Sequence, residues 1–433
     1  MKTQPLPIAN RHRQCAFTFS TLTASLIVLL LLAACAAQPA WAQSFSVLYS
    51  FTGEADGEHP FATVTLGSRG YLYGTVPYSY GGYGYGLVYQ LEHRGSGWVL
   101  NPLYSFDNGG GTTPKSGVVF GPQGQLYGTT YAGSGNVFDL RPPATICRSQ
   151  PCPWQEDVIH EFGGGGNNGY APGYGDLTLD NTGDIYGTTV AGGASNNGIV
   201  YELTQSGGEW TFTILYSFNG APSDGEGPVG GVIFDAAGNL YGTTEGGGNQ
   251  GGLGGLGTIF ELTPTNGGWS ESVLYNFNDS GSGIYPQSTL VMDASGNLYG
   301  TTLNGGVGGG GTVFELARSG QIWTFSVLYS FTACTSYVGL NIDRSGNLYG
   351  TCPFGGAYGG GMVYELTHSG GSWTLIDLHD FAGGAGGSGP EGGVTLDSSG
   401  NLYGTTYDGG VANNGTVWEI TRDPGHDALV KEP

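Results

Sequence analysis

A short signature, Leu or Ile followed by Tyr-Gly-Thr, recurs seven times along the chain, with its tyrosine at Tyr73, Tyr127, Tyr186, Tyr241, Tyr299, Tyr349 and Tyr403. The intervals are 54, 59, 55, 58, 50 and 54 residues. A period of this size restricts a chain to folds that stack or close one supersecondary unit. Each unit reads "GVxLDxxGNLYGTT", a glycine-rich stretch, "GTVFEL", a polar turn and "WTFxxLYSF". In the last unit "GVTLD" and "LYGTT" flank "SSGN", where Gly400 can take the positive φ of a tight hairpin and Asp397 can bond the turn backbone. "GTVFEL" and "WTFxxLYSF" give a third and a fourth strand. Four antiparallel strands per unit, seven times over, predict an all-β fold, a seven-bladed β-propeller of four-stranded antiparallel blades.

The last unit lacks its fourth strand. "SFSVLYSF", Ser44 to Phe51, nearly copies "TFSVLYSF", Thr324 to Phe331, and precedes the first unit. The expectation is a ring closed by this N-terminal strand pairing with the last blade, which also hides sheet edges. Residues 1–42 read as a signal peptide, 43–421 as the propeller and 422–433 as a short polar C-terminal tail. Glycine supplies 85 residues, aromatics 12% and charged residues only 11%, a balance that suits short strands and glycine turns better than helices.

In the first segment Arg11 and Arg13 precede an apolar run from Ala16 to Ala34, and "AWA" ends at Ala42. Cleavage after Ala42, lipidation of Cys35 in "LAAC" and retention as an anchor are the three fates considered, in that order. All three imply export, to the medium, the periplasm or the cell surface. Removing residues 1–42 takes away Lys2, Arg11 and Arg13 and shifts the net charge from −22 to −25. Such a charge opposes nucleic acid and anionic lipid. The expected partners are a glycan or a protein, with membrane contact only through a lipid on Cys35, and the chain is expected to be a monomer. Four cysteines remain, and Cys147 with Cys152 and Cys334 with Cys352 are the expected disulfides, the second across one hairpin. No metal or cofactor is expected.

The repeated polar columns have structural readings. Asp180, Asp235, Asp293, Asp343 and Asp397 precede glycine hairpins and should hold turns. Glu202, Glu261, Glu315, Glu365 and Glu419, with Gln90 and Asp139, should make one repeated hydrogen bond per blade. Trp98, Trp154, Trp210, Trp269, Trp323 and Trp373 should pack between blades with their indole N–H groups satisfied. No Ser, His and Asp set or Cys and His set clusters. Glycine strings such as Gly246 to Gly257 are not phosphate loops, because no helix follows.

The stretches "DGEHPFATVTLGSRGYLYGT" from Asp56 and "DGEGPVGGVIFDAAGNLYGTTEGG" from Asp224, each followed by a "GTVFEL"-like strand, resemble the GloVer-type tandem repeats of exported bacterial proteins, over Ser44 to Thr421. The resemblance implies export and repeat architecture and transfers no activity. A kelch-like propeller is the alternative; the nine-residue aromatic-to-Trp spacing, as from Tyr201 to Trp210, argues against it.

Loops from fourth to next first strand, and from second to third strand, should share one face, where length and composition vary most. The candidate ligand-binding residues there are Tyr78, Tyr80, Tyr83 and Tyr85 in one sector, and Asp56, Glu58, His59, Asp224 and Glu226 in acidic ones. A noncatalytic binding or interaction protein is the first functional expectation. An extracytoplasmic enzyme of polysaccharide lyase or glycoside hydrolase type is the second; it would need paired carboxylates or His59 converging over the channel. A structural envelope protein is the third.

Overall fold

The computed structural model describes residues 43–82, 84–107, 111–143, 154–163, 168–172, 174–249, 254–278, 281–335 and 339–422. The leader 1–42, Tyr83, the Cys147 and Cys152 insert and the tail from 423 lie outside the described residues. Seven antiparallel sheets form a propeller ring, each with the four predicted strands. Blade 5 represents them: Val291–Met292, Leu298–Thr302, Thr312–Ser319 and Ile322–Ser330, paired in that order. Blade 3 gains a short fifth strand, Tyr170–Pro172.

The ring closes as the repeat demanded. The N-terminal strand Ser44–Ser50 pairs antiparallel with Thr416–Thr421, from Ser44 opposite Thr421 to Ser50 opposite Thr416. Phe45 stacks on His379 of blade 6 at 3.7 Å, and Phe51 meets Tyr89 of blade 1 edge-on at 5.4 Å. The strand therefore joins blades on both sides of the seam. Each fourth strand breaks register once; in blade 3 Ile214 lies opposite Tyr201 and Tyr216 opposite Val200, so Leu215 is an extra residue. This β-bulge aims Leu215 at the next blade, where it packs with Phe218, Val232 and Phe260.

The glycine of each Tyr-Gly pair is fixed by a ring on the facing strand. Gly300 lies opposite Phe314, and a Cβ added there would sit 2.6 Å from Phe314 Cζ. Gly404 stands in the same relation to Trp418. The largest buried rings thus lie flat across the second strand, a close approach open only to glycine.

The predicted Asp and Glu columns behave as read. Asp293 accepts from the backbone N–H groups of Ser295 and Asn297 at 2.8 and 2.9 Å, and the pattern repeats at Asp235, Asp343 and Asp397. Tyrosine hydroxyls reach the glutamates, at 2.6 Å for Tyr241 and Glu261 and 2.9 Å for Tyr403 and Glu419. Blade 2 departs: Asp139 pairs with Arg141, and Gln125 serves Tyr127 instead. The tryptophans are half-buried, and Trp210, Trp323 and Trp373 meet Tyr127, Tyr241 and Tyr299 of the preceding blade edge-on. One expectation is corrected here: the Trp210 indole N–H is buried and has no partner among the described residues.

Loops from fourth to first and from second to third strands do share a face. In blades 1, 2, 5 and 7 they meet in single bridges, Glu58 with Tyr78, Thr112 with Ala132, Ile284 with Asn304 and Ser388 with Asp408. In blade 6 the residue at the Glu58 position is Cys334, and its disulfide to Cys352 makes the tie. The pair therefore links an incoming loop to the end of the second strand and does not cross a single hairpin as the sequence suggested. The disulfide fits an oxidising, extracytoplasmic environment. No helix among the described residues is long and apolar enough to cross a membrane.

Candidate binding site at the channel mouth

The first strand of each blade faces the axis, and the residues just before it rim the channel on the loop face. At one rim position six blades present Phe61, Lys115, Tyr174, Val229, Gln287 and Glu391. This column does not repeat. A cavity of about 860 Å³ opens there. Its floor and walls come from first strands, such as Thr65, Val119 and Thr395, and its rim from Phe61, Lys115, Tyr131 and Tyr174.

Lys115 is the one lysine among the described residues. Its ammonium lies 4.7 Å from the Tyr131 ring centre, 5.0 Å from Tyr174 and 5.7 Å from Phe61. Tyr131 and Tyr174 stack at 5.4 Å, and Phe61 tilts against Tyr174 at 5.5 Å. Ring faces attract the cation while shielding it from water. Burial accordingly lowers the Lys115 pKa, and Glu391 opposes the fall. Burial pushes the Glu391 carboxyl up to about 7, with Asp408 adding repulsion and Lys115 and His59 pulling it back.

Deeper in the wall, Asp176 accepts the Gly117 N–H at 2.6 Å, and burial pushes its carboxyl up to about 6. Thr289 and Thr63 occupy the same position in blades 5 and 1 and accept from Gly231 and Gly393 at 2.9 and 2.8 Å. The position is a structural tie between blades, and blade 3 makes it with a carboxylate facing the cavity.

The sequence-selected residues divide. Tyr78 and His59 lie close enough to the rim to act on Tyr174 and Glu391, but neither lines the cavity. His59 Nδ1 donates to the Tyr407 carbonyl at 2.9 Å, stacks on that ring at 4.5 Å and lies 3.5 Å from Asp408. Its positive φ of 56° is no mark of function, since Thr113, Tyr285 and Thr335 share it at the same repeat position. Glu58 is buried and accepts the Gly82 N–H, which ties the acidic loop to the tyrosine loop. Tyr80 and Tyr85 point outward, 61% and 40% exposed. Asp56 accepts from the Tyr49 hydroxyl and the Thr52 N–H at 2.9 and 2.8 Å. Asp224 does the same with Tyr216 and Asn219, and Glu226 pairs through its backbone with Gly246. Both aspartates are therefore engaged in shaping their own loops.

Lys115, Tyr131, Tyr174 and Glu391 were not selected from the sequence. The available signal was negative: they depart from a repeat whose other columns are uniform, and a lysine stands out in so acidic a chain. Among the described residues no group of three or more His, Cys, Asp or Glu has the arrangement of a metal site.

The sequence model of the Gloeobacter/Verrucomicrobia repeat family matches residues 143–339, a stretch that includes blades 3, 4 and 5. No curated protein matches the chain. Among solved structures, similarity extends to a putative 6-phosphogluconolactonase from Bacteroides fragilis (15% identity, 76% of this chain and 85% of that one, TM-score 0.49). It extends also to a putative oxidoreductase, a glucose dehydrogenase, from Thermus thermophilus (18%, 70% and 95%, TM-score 0.43). A polysaccharide lyase, an ulvan lyase, is similar at 10% identity over 78% of this chain and 87% of its own, TM-score 0.45.

Proposed function

We propose that the protein is an exported binding protein that holds a glycan or protein ligand on its loop face, over the mouth of the central channel. The observation that carries this reading is Lys115 set among Phe61, Tyr131 and Tyr174 at the rim of the cavity. Aromatic walls around one oriented charge, on a rigid closed ring, supply contact area and direction with little ordering cost. A concave mouth suits a sugar or an extended side chain better than a flat protein face.

The test is a glycan array with a pull-down from envelope extracts, repeated with two double variants. Tyr131→Ala with Tyr174→Ala should abolish capture while the melting temperature stays within a few degrees. Loss confined to Tyr80→Ala with Tyr85→Ala would move the site to the outer loop and defeat the reading. An enzyme is the second reading, favoured by Glu391, whose carboxyl burial pushes up to about 7 and which stands close enough to His59 to feel its charge. New reducing ends or unsaturated products from any captured glycan would put that reading first.

A further inference from the structure

Resting on the mouth as the binding site, we propose that its ligand is an acidic sugar, a hexuronate residue carrying one carboxylate and several hydroxyls. The charge pattern of the mouth selects this class. A single ammonium, Lys115, is accompanied by Asp176, Glu245 and Glu391. A polyanion such as a phosphorylated chain would meet three carboxylates for every cation. A cationic ligand would find its aromatic cage already filled by the Lys115 ammonium. A neutral sugar would bond to the carboxylates yet leave Lys115, partly stripped of water, with only the through-space pull of Glu391 and no anion at ion-pair distance among the described residues.

One carboxylate with neighbouring hydroxyls satisfies all of these groups. The sugar carboxylate meets Lys115 at low local dielectric, where the pairing is stronger than in water. Its hydroxyls donate to Asp176 and Glu245, and Gln287 offers both a donor and an acceptor. The C–H face of the ring lies against Tyr131 or Phe61. A cavity of about 860 Å³ admits a short oligosaccharide.

The experiment is calorimetric titration of the full chain with trigalacturonate and with neutral galactotriose. Wild type should prefer trigalacturonate by about 10- to 100-fold, the range for a hydrogen bond to a charged group. Lys115→Met should remove that preference and leave the weaker galactotriose binding, and Lys115→Arg should restore part of it. Equal binding of the two sugars, weakened by Tyr131→Ala, overturns the acid specificity and leaves the mouth as the site. A preference for trigalacturonate that survives both Lys115→Met and Tyr131→Ala places the site elsewhere and overturns both readings, as does failure of wild type to bind either sugar. Displacement of trigalacturonate by an equal concentration of sodium sulfate reduces the mouth to a general anion site and overturns the sugar assignment.

Discussion

The Tyr299 hydroxyl has one proton and two carboxylates within reach, Glu315 at 3.0 Å and Asp293 at 3.1 Å. It ties Glu315 of the third strand to Asp293 in the turn of the first hairpin, across the second strand that lies between them. Tyr299→Phe removes the hydroxyl that stands between two half-buried carboxylates, and should cost about 1.5–3 kcal/mol, the worth of a hydrogen bond to a charged group. Gly300→Ala, beside it, meets the Phe314 ring directly and should cost at least about 2 kcal/mol, as overpacking does. Gly267→Ala is the control, because nothing lies within 4 Å of the added methyl. Urea melts of the three would order them; a neutral Gly300→Ala would mean that Phe314 can retreat. The glutamate's role was legible because a glutamate recurs at this position in five blades, and in each of them it takes the tyrosine hydroxyl. The glycine's role was not, since the ring it accommodates is on another strand and only register brings the two together. Lys115 was hidden for a related reason: repeats teach the reader which columns matter to the fold, while a ligand is met by the column that refuses to repeat.

At the scale of the strand, the seam and the blade 6 tie can be tested separately. Removing Gln43–Phe51 takes away the whole pairing with Thr416–Thr421 together with the contacts of Phe45 and Phe51. The truncated chain should melt far lower and associate through its open edge, which size-exclusion chromatography would detect. A monomer with an unchanged melt would mean that the ring stands without its clasp. In blade 6 the sequence lacks the proline that precedes the first strand in the six other blades, at Pro60, Pro114, Pro172, Pro228, Pro286 and Pro390. There the Cys334–Cys352 bond spans 18 residues and replaces the backbone bridge. Cys334→Ala with Cys352→Ala should cost about 3 kcal/mol by the loop-entropy estimate, and reduction should have the same effect on the wild type but none on the variant. The partners were legible from spacing and from the expectation of export, but their place was not, because a hairpin and a loop-to-strand tie have the same sequence separation. The fourth-strand bulge was hidden too: "VLYSF" shows consecutive apolar residues, and only pairing reveals that the leucine is the additional one.

For the whole ring the decisive quantity is where its carboxyls titrate. Burial first, with neighbouring charge in Glu271, Glu391 and Asp377, pushes Glu271 and Glu391 up to about 7 and Asp176 and Asp377 up to about 6. Their ordinary values are 4.5 and 3.8. Between roughly pH 4 and pH 7 the folded chain therefore binds more protons at these four sites than the unfolded chain, and stability falls as pH rises through that window. Two histidines act in the opposite sense: burial lowers His160 from 6.5 to about 4 and lowers His379 as well, so unfolding takes up protons below pH 6.5. Four carboxyls outweigh two imidazoles, and the net charge of −22, relieved on acidification, adds to the same side. Burial works to raise Asp180 and Asp235, but hydrogen bonds, from the Thr182 hydroxyl first in one and the Asn239 N–H first in the other, hold both low, so they lose their contribution only below about pH 4, outside the window. The melting temperature should thus be higher at pH 5 than at pH 8 at constant ionic strength, and Glu391→Gln should raise the pH 8 value while narrowing the gap. A melt at pH 5 equal to or below that at pH 8 would mean that the histidines, not the buried carboxyls, govern the acid side.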